Sequence, residues 1–333
     1  MIQPNTPIRA SITPELVGDL ITTAARAPSL HNSQPWRFRL ERNVLELHVD
    51  VRRAMRCSDP QARELVISCG AALSNLRLAI RGKALTPCVS IAPDKDDPLL
   101  LARITAEPGP KPTTEERRLL AAVVHRHTHR HGFTPVPIAE TLASALAADV
   151  ATEGARLVWV DDPDQITAVA ELALLADRLQ VGDAPWQAEI AGWVDVTARG
   201  RLDGVPLWAV PPVPTELRAT DRLPTRSFVP DRPAGANVRA PGGAGRIAVL
   251  VTDGDRLADW VAAGQALQRM LVRAAAGWVF ATYATAPLEV PSLREALRDA
   301  LMLREYPQMV LELGHADFAH ATPRLPANEQ RDR

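Results

Sequence analysis

The stretch "ARAPSLHNSQPWRFRL" (residues 25–40) decides how this chain is read. Before it, residues 14–26 carry Leu16, Val17, Leu20, Ile21 and Ala24 at helical spacing, behind Thr13 and Pro14, a capping residue and a first-turn proline. Pro28 and Ser29 end that helix in a turn. Asn32 and Gln34 suit the saturation of a helix end, and His31 packs in the turn. Pro35 and Trp36 then open a strand, "WRFRL", with Trp36 as a core residue.

Outward from this point the pattern stays regular. A second strand, "VLELHV", leads to a long helix at about 62–82 with Leu65, Val66, Cys69, Ala72, Leu73, Leu76 and Ile80 on a wide apolar stripe, which makes it central. The strand "CVSIA" follows, then a proline-rich break, "DKDDPLLLARITAEPGPKP". From about residue 113 the spacing predicts helices in "TEERRLLAAVV" and "IAETLASALAA", the strand "ARLVWV", and helices at 164–180 and 186–199. Eight prolines between Pro206 and Pro241 mark a long irregular segment, of the kind that forms functional lids or is disordered. Order resumes with the strand "RIAVLVT", a helix at 255–276, the strand "WVFATYA", a short helix at 291–303 and the strand "QMVLELG".

With 333 residues and 46% apolar content, the chain can bury a sizeable core. Its 38 basic and 39 acidic residues leave a net charge of −1, so no overall field favours nucleic acid or an anionic membrane. Any anion site must be local. No charged leader with an apolar core and no membrane-length apolar run is visible, and three cysteines without a CxxC pattern fit a reducing compartment; a cytoplasmic protein is expected.

A second stretch, "HRHTHRHGF" (125–133), alternates histidines with arginines and a threonine. Read as a strand, one face presents His125, His127, His129 and His131, which leaves a zinc or nickel site open. The nearest acids, Glu116 and Glu140, lie outside the stretch. The other face presents Arg126, Thr128 and Arg130, two permanent cations flanking a hydroxyl, which suits a phosphate.

Residues 69–90, "CGAALSNLRLAIRGKALTPCVS", and 263–284, "AGQALQRMLVRAAAGWVFATYA", are alike: each is a small-residue-rich helix with a glycine near its start and another at its close, running into a strand. Each follows a shorter helix and a strand. The chain therefore reads as internally duplicated, and a duplicated unit can do in one chain what a symmetric homodimer does in two.

Pro28, Ser29, Asn32, Gln34, Pro35 and Trp36 together resemble the flavin-dependent nitroreductase family, in which a helix ends in a Pro-Ser turn followed by Asn-x-Gln-Pro-Trp and a strand. The wider layout is similar to its actinobacterial, Acg-type branch. The resemblance spans nearly the whole chain and implies an α+β, nitroreductase-like fold. Two tandem half-domains, 1–108 and 109–333, would form an intramolecular pseudo-dimer with central long helices and mixed sheets, and the second half would carry a proline-rich lid at about 200–245. In the family a homodimer builds each FMN site across its interface, an Arg-x-Ser-x-Lys motif meeting the Pro-Ser turn of the other subunit. By that resemblance Arg126 and Thr128 hold the FMN phosphate, Arg130 lies nearer the pyrimidine, and Pro28, Ser29 and Asn32 close a single composite site. "TPRLP" (322–326) resembles a Lys-x-Arg-Leu-Pro motif, which adds Arg324 and puts Thr322 in the lysine's place. "PLEVP" (287–291) resembles a Pro-x-Glu-Gly loop at the flavin, which adds Pro287, Glu289 and Val290.

The resemblance thus implies an FMN-dependent oxidoreductase, an NAD(P)H nitroreductase passing hydride in ping-pong fashion to a nitroaromatic or quinone-like acceptor, with the chemistry on the flavin and no catalytic side chain or metal. The alternative is an FMN-sequestering protein whose lid blocks turnover. Expected partners are the flavin nucleotide, NAD(P)H and a small aromatic acceptor, in a monomeric pseudo-dimer without nucleic acid or membrane.

Overall fold

The computed structural model describes residues 12–195, 200–209, 223, 245–318 and 320–332. The first helix, α1 (Pro14–Ala24), leads through the 25–35 turn to strands β1 (Trp36–Glu41) and β2 (Val44–Val49), then to helix α2 (Arg63–Gly82) and strands β3 (Leu85–Ile91) and β4 (Leu100–Pro108). Helices α3 (Thr114–Ala122) and α4 (Glu140–Ala151) precede β5 (Arg156–Val160). Helices α5 (Pro163–Val181) and α6 (Ala184–Gly192) and the short strands β6 (Val194–Asp195) and β7 (Val205–Pro206) come next. Then follow β8 (Arg246–Thr252), α7 (Leu257–Ala276), β9 (Val279–Tyr283), α8 (Ala286–Glu289), α9 (Pro291–Ala300) and β10 (Tyr306–His315).

The duplication is plain in the topology. One sheet has the order β1-β2-β4-β3 and the other β5-β8-β10-β9, so α1-β1-β2-α2-β3-β4 is repeated as α4-β5-β8-α7-β9-β10. The second copy carries α5, α6, β6 and β7 between its first two strands. Both four-stranded sheets pair antiparallel throughout. Their mixed character comes only from edge bridges, Thr128 beside Ala281 and Arg331 beside Phe38, both parallel. Through Arg331 the chain's last residues return to the first sheet.

Sequence pattern explains which sheet faces are covered. Strand β3 alternates half-buried and exposed residues, whereas β8 and β10 are almost continuously buried and mostly apolar, with Gln308 and Glu312 as buried polar exceptions. The second sheet is therefore sandwiched, with α4 and α7 on one face and α5 and α9 on the other.

Three expectations need correction. The proline-rich break contains β4, whose Leu101, Ala102 and Ile104 are buried beside β2; here the prolines only bracket a strand. The helix expected to reach 199 ends at Gly192, where the chain turns to pair Val194 with Val205. The 125–131 stretch is not a strand; it makes one bridge, at Thr128.

The two repeats meet where α2 crosses α7. Each helix has 20 residues, and Gly70 and Gly264 occupy equivalent positions in them. A Cβ on Gly70 would collide with the carbonyl oxygen of Val261, and one on Gly264 with that of Ile67. Reciprocally, Ile67 packs in the core of the second sheet and Val261 in the core of the first. Only hydrogen at these Cα positions lets the backbones approach so closely. Gly264→Ala should therefore lower unfolding stability by about 1–3 kcal/mol in urea titrations. Gly18→Ala, on an exposed part of α1 where a Cβ meets nothing within 4 Å, should raise it by roughly 0.5–1 kcal/mol. Equal effects of the two changes would refute a close-packed crossing.

Candidate cofactor site

The 25–36 turn is built under strain and held from outside. His31, Asn32 and Gln34 have φ of 46°, 57° and 51°, left-handed values that cost a non-glycine residue of order 1 kcal/mol each. Compensation comes from hydrogen bonds to distant segments. The Asn32 side chain donates to the carbonyls of Gly204 (3.0 Å) and Pro323 (3.1 Å), and the Gln34 amide donates to Leu202 O (2.8 Å). Gln34 Oε1 accepts from Leu325 N (2.9 Å), Trp36 Nε1 donates to Gln330 Oε1 (2.9 Å), and Ser29 Oγ accepts from Gln34 N (2.9 Å). Both amide hydrogens of Asn32 are used in this way. The side chain is a tie between the turn, the 204 segment and the C-terminal tail.

Arg324 completes the tie. Its Nε donates to Ala25 O (2.8 Å), Nη2 to Ala27 O (3.2 Å), and Nη1 to Asn32 Oδ1 (2.9 Å) and Thr322 Oγ1 (2.7 Å). A cation on carbonyls just past the end of α1 is favourable, because the helix dipole is negative there.

Residues 126–130 reach the same turn from the other side. His129 N donates to Ala281 O (2.9 Å), Thr282 Oγ1 donates to His129 O (3.0 Å), and Thr128 bridges Ala281 in parallel. Arg126 and Arg130 lie close enough to the Tyr283 hydroxyl to act on it electrostatically, and His129 sits beside Thr282. Arg126 is 4% exposed and donates through Nη2 to Arg26 O (3.0 Å). Among the described residues, its Nε and the Tyr283 hydroxyl are buried without a hydrogen-bond partner, and no carboxylate pairs with Arg126 or Arg324.

Charge repulsion is therefore concentrated here. Burial, and then Arg126, Arg26 and Arg130, push the Arg324 guanidinium well below its ordinary pKa; burial and Arg26 lower Arg126. Arg130 is lowered to about 10, chiefly by burial and then by Arg126. Guanidinium groups keep their charge at neutral pH, so these depressions represent unfavourable energy that a bound anion would relieve. Burial raises the Tyr283 hydroxyl to about 12, which leaves it a neutral donor. These atoms fit a phosphate dianion: buried cations, an orphaned guanidinium N–H and an orphaned hydroxyl.

Of the expected site residues, the structure brings Pro28, Ser29, Asn32, Arg126, Thr128, Arg130 and Arg324 together. Pro287, Glu289 and Val290 lie further along, in and just after α8, which follows the end of β9; there Glu289 accepts from Gln180 of α5 (2.8 Å). Val290 has φ −108° and ψ 111°, extended values that valine adopts freely. Sequence reasoning missed Tyr283 and Arg26; Arg26 lies inside the opening motif, and only the pairing of 128 with 281 reveals Tyr283. The histidines do not gather as one set: His125 lies by Trp278, whereas His129 and His131 lie 5.9 Å apart and pack with Phe133, Phe318 and His320. Among the described residues no group of three or more histidine, cysteine or acidic side chains could hold a metal. Most of the expected lid, 210–222 and 224–244, lies outside the described residues. Its beginning packs on the turn, where Asp203 accepts from Arg53 (2.8 Å). Among the described residues no helix is long and apolar enough to cross a membrane.

Comparison with known proteins places this architecture in a class: the chain belongs to the NAD(P)H nitroreductase family. It is 32% identical to "Putative NAD(P)H nitroreductase Rv3131" of Mycobacterium tuberculosis over 325 residues, 96% of this chain and 90% of the relative. It is 28% identical to "Putative NAD(P)H nitroreductase acg" of the same organism over 326 residues, 96% of each. A solved nitroreductase with bound FMN from Desulfitobacterium hafniense covers 64% of this chain and 95% of its own, at 14% identity and a TM-score of 0.39. No family model matches the chain.

His127 supplies a test that needs no ligand. Burial, then Arg126, Arg324 and Arg26, lower it to about 4, so between pH 4 and about 6.5 the unfolded chain binds more protons than the folded one. Stability should fall as pH drops through that window. Urea titrations at a series of pH values should show His127→Gln losing less over the same range, by roughly 1–3 kcal/mol. A variant that tracks the parent would place His127 away from the arginines.

Proposed function

We propose that this chain is an FMN-dependent NAD(P)H oxidoreductase of the nitroreductase type, holding one flavin in the seam between two tandem halves, 1–108 and 109–333. The supporting observation is the buried cation cluster. Arg126, Arg130 and Arg324 converge from the second half and its tail onto the Pro-Ser turn of the first, with the Arg126 Nε and Tyr283 hydroxyl lacking protein partners among the described residues. A group of permanent buried cations, with no carboxylate on Arg126 or Arg324 among the described residues, calls for an anion, and the flavin's phosphate supplies nearly two charges. The bound flavin would carry the two-electron hydride chemistry itself. The chain's residues then bind and orient: Arg126 and Thr128 grip the phosphate, Arg130 lies nearer the flavin's pyrimidine, and Arg324 and Asn32 keep the turn in its strained form. The acceptor is a nitroaromatic or quinone-like molecule taken in alternation with the nicotinamide.

A second reading, an FMN-sequestering protein, draws on the way residues 202–204 are already bonded to the turn. One titration separates the two. The purified protein should take up FMN with a yellow visible spectrum that NADH or NADPH bleaches within seconds, and Arg126→Gln should weaken FMN roughly tenfold to a hundredfold. A yellow protein unchanged in excess of both nicotinamides is the sequestering form. A folded protein that takes up no FMN contradicts both.

A further inference from the structure

Tyr283 enters the reading above only as an orphaned hydroxyl, yet its geometry is specific. It is the last residue of β9 and pairs with Leu311 of β10, and its ring packs against the core of the second sheet. That packing fixes where the hydroxyl points. The hydroxyl is buried, and among the described residues it neither donates nor accepts a hydrogen bond. Arg126, Arg130 and Arg324 all act on it electrostatically. The parallel bridge of Thr128 with Ala281 brings residue 130 toward residue 283, and in the same cation cluster Arg126 also leaves its Nε–H unpartnered. Two orphaned polar groups facing one cation cluster are costly apart, since a buried donor without an acceptor forfeits its hydration. One acceptor with several lone pairs would satisfy both.

We propose that Tyr283 is a specificity-determining residue, whose phenol donates to a phosphate oxygen alongside Arg126 Nε and makes the site select a phosphate monoester. This rests on the reading of the cluster as the flavin's phosphate site and names the group that separates FMN from riboflavin. The division of labour is physical. The guanidinium groups supply charge, which any anion would feel, whereas a neutral O–H on a rigid ring supplies direction. Because burial keeps the phenol protonated far above neutral pH, it remains a donor throughout the working range.

The test compares parent and Tyr283→Phe proteins, which differ by one oxygen and keep the ring's packing, for FMN and riboflavin affinity by flavin-fluorescence titration. It adds thermal stabilisation by inorganic phosphate alone. The expected result is an FMN dissociation constant raised roughly tenfold, riboflavin affinity within about twofold of the parent, and a smaller gain in melting temperature from phosphate. Unchanged FMN affinity, or equal losses for FMN and riboflavin, overturns the assignment. If the parent binds no flavin but is stabilised by phosphate, and the variant is not, the flavin reading falls while the role of Tyr283 stands. Loss of the native melting transition in Tyr283→Phe without ligand would instead make the hydroxyl a folding group and overturn the proposal.

Discussion

Everything in this molecule depends on two helix backbones touching at Gly70 and Gly264. Because each glycine sits over a carbonyl of the opposite helix, α2 and α7 cross closely enough for Ile67 and Val261 to be exchanged between the two cores. A side chain at either position would push the helices apart, and the sheets they carry would move with them. The polar contacts across the seam also require this closeness, among them Gln268 Nε2 to Asn75 Oδ1 (2.7 Å) and the buried Arg63 to Gln308 O (2.6 Å). Such bonds are favourable only when geometry is good, since their groups have left water.

The candidate site is a product of that crossing, but it breaks the symmetry. The first repeat supplies a strained turn after α1, and the second supplies a cationic edge beside β9. The chain's tail then crosses back to staple the turn through Arg324, Leu325 and Gln330. The left-handed residues at 31, 32 and 34 persist because these external bonds over-determine them. Like charges are held together by the same architecture, in the way that binding sites store unfavourable energy that the ligand then releases.

Much of the fold was legible. Helices α1, α2, α5, α7 and α9 and the strands flanking them announce themselves by period, and the equivalence of Gly70 and Gly264 shows in aligned sequences. Strand β4 was hidden because prolines at 93 and 98 precede it, Pro108 ends it and prolines at 110 and 112 follow, and punctuation outweighs a short alternating run when local signals alone are read. The arginines at 126, 130 and 324 were legible as charges in a pattern. What Arg324 touches was not, because its donors go to backbone carbonyls 297 and 299 residues away, and carbonyls have no sequence signature. Tyr283 was invisible for the same reason: a single tyrosine acquires meaning only from the edge that lies beside it.

The central claim is that a cation cluster from the second repeat and the tail, set against the first repeat's turn, grips a flavin's phosphate. A crystal structure of the protein grown with FMN tests it most directly. The account predicts one flavin per chain, its phosphate oxygens about 3 Å from Arg126 Nε and the Tyr283 hydroxyl, and the Arg324–Asn32 tie intact. A flavin bound with its phosphate elsewhere, or a seam filled by protein side chains with Arg126 turned to solvent, would contradict it.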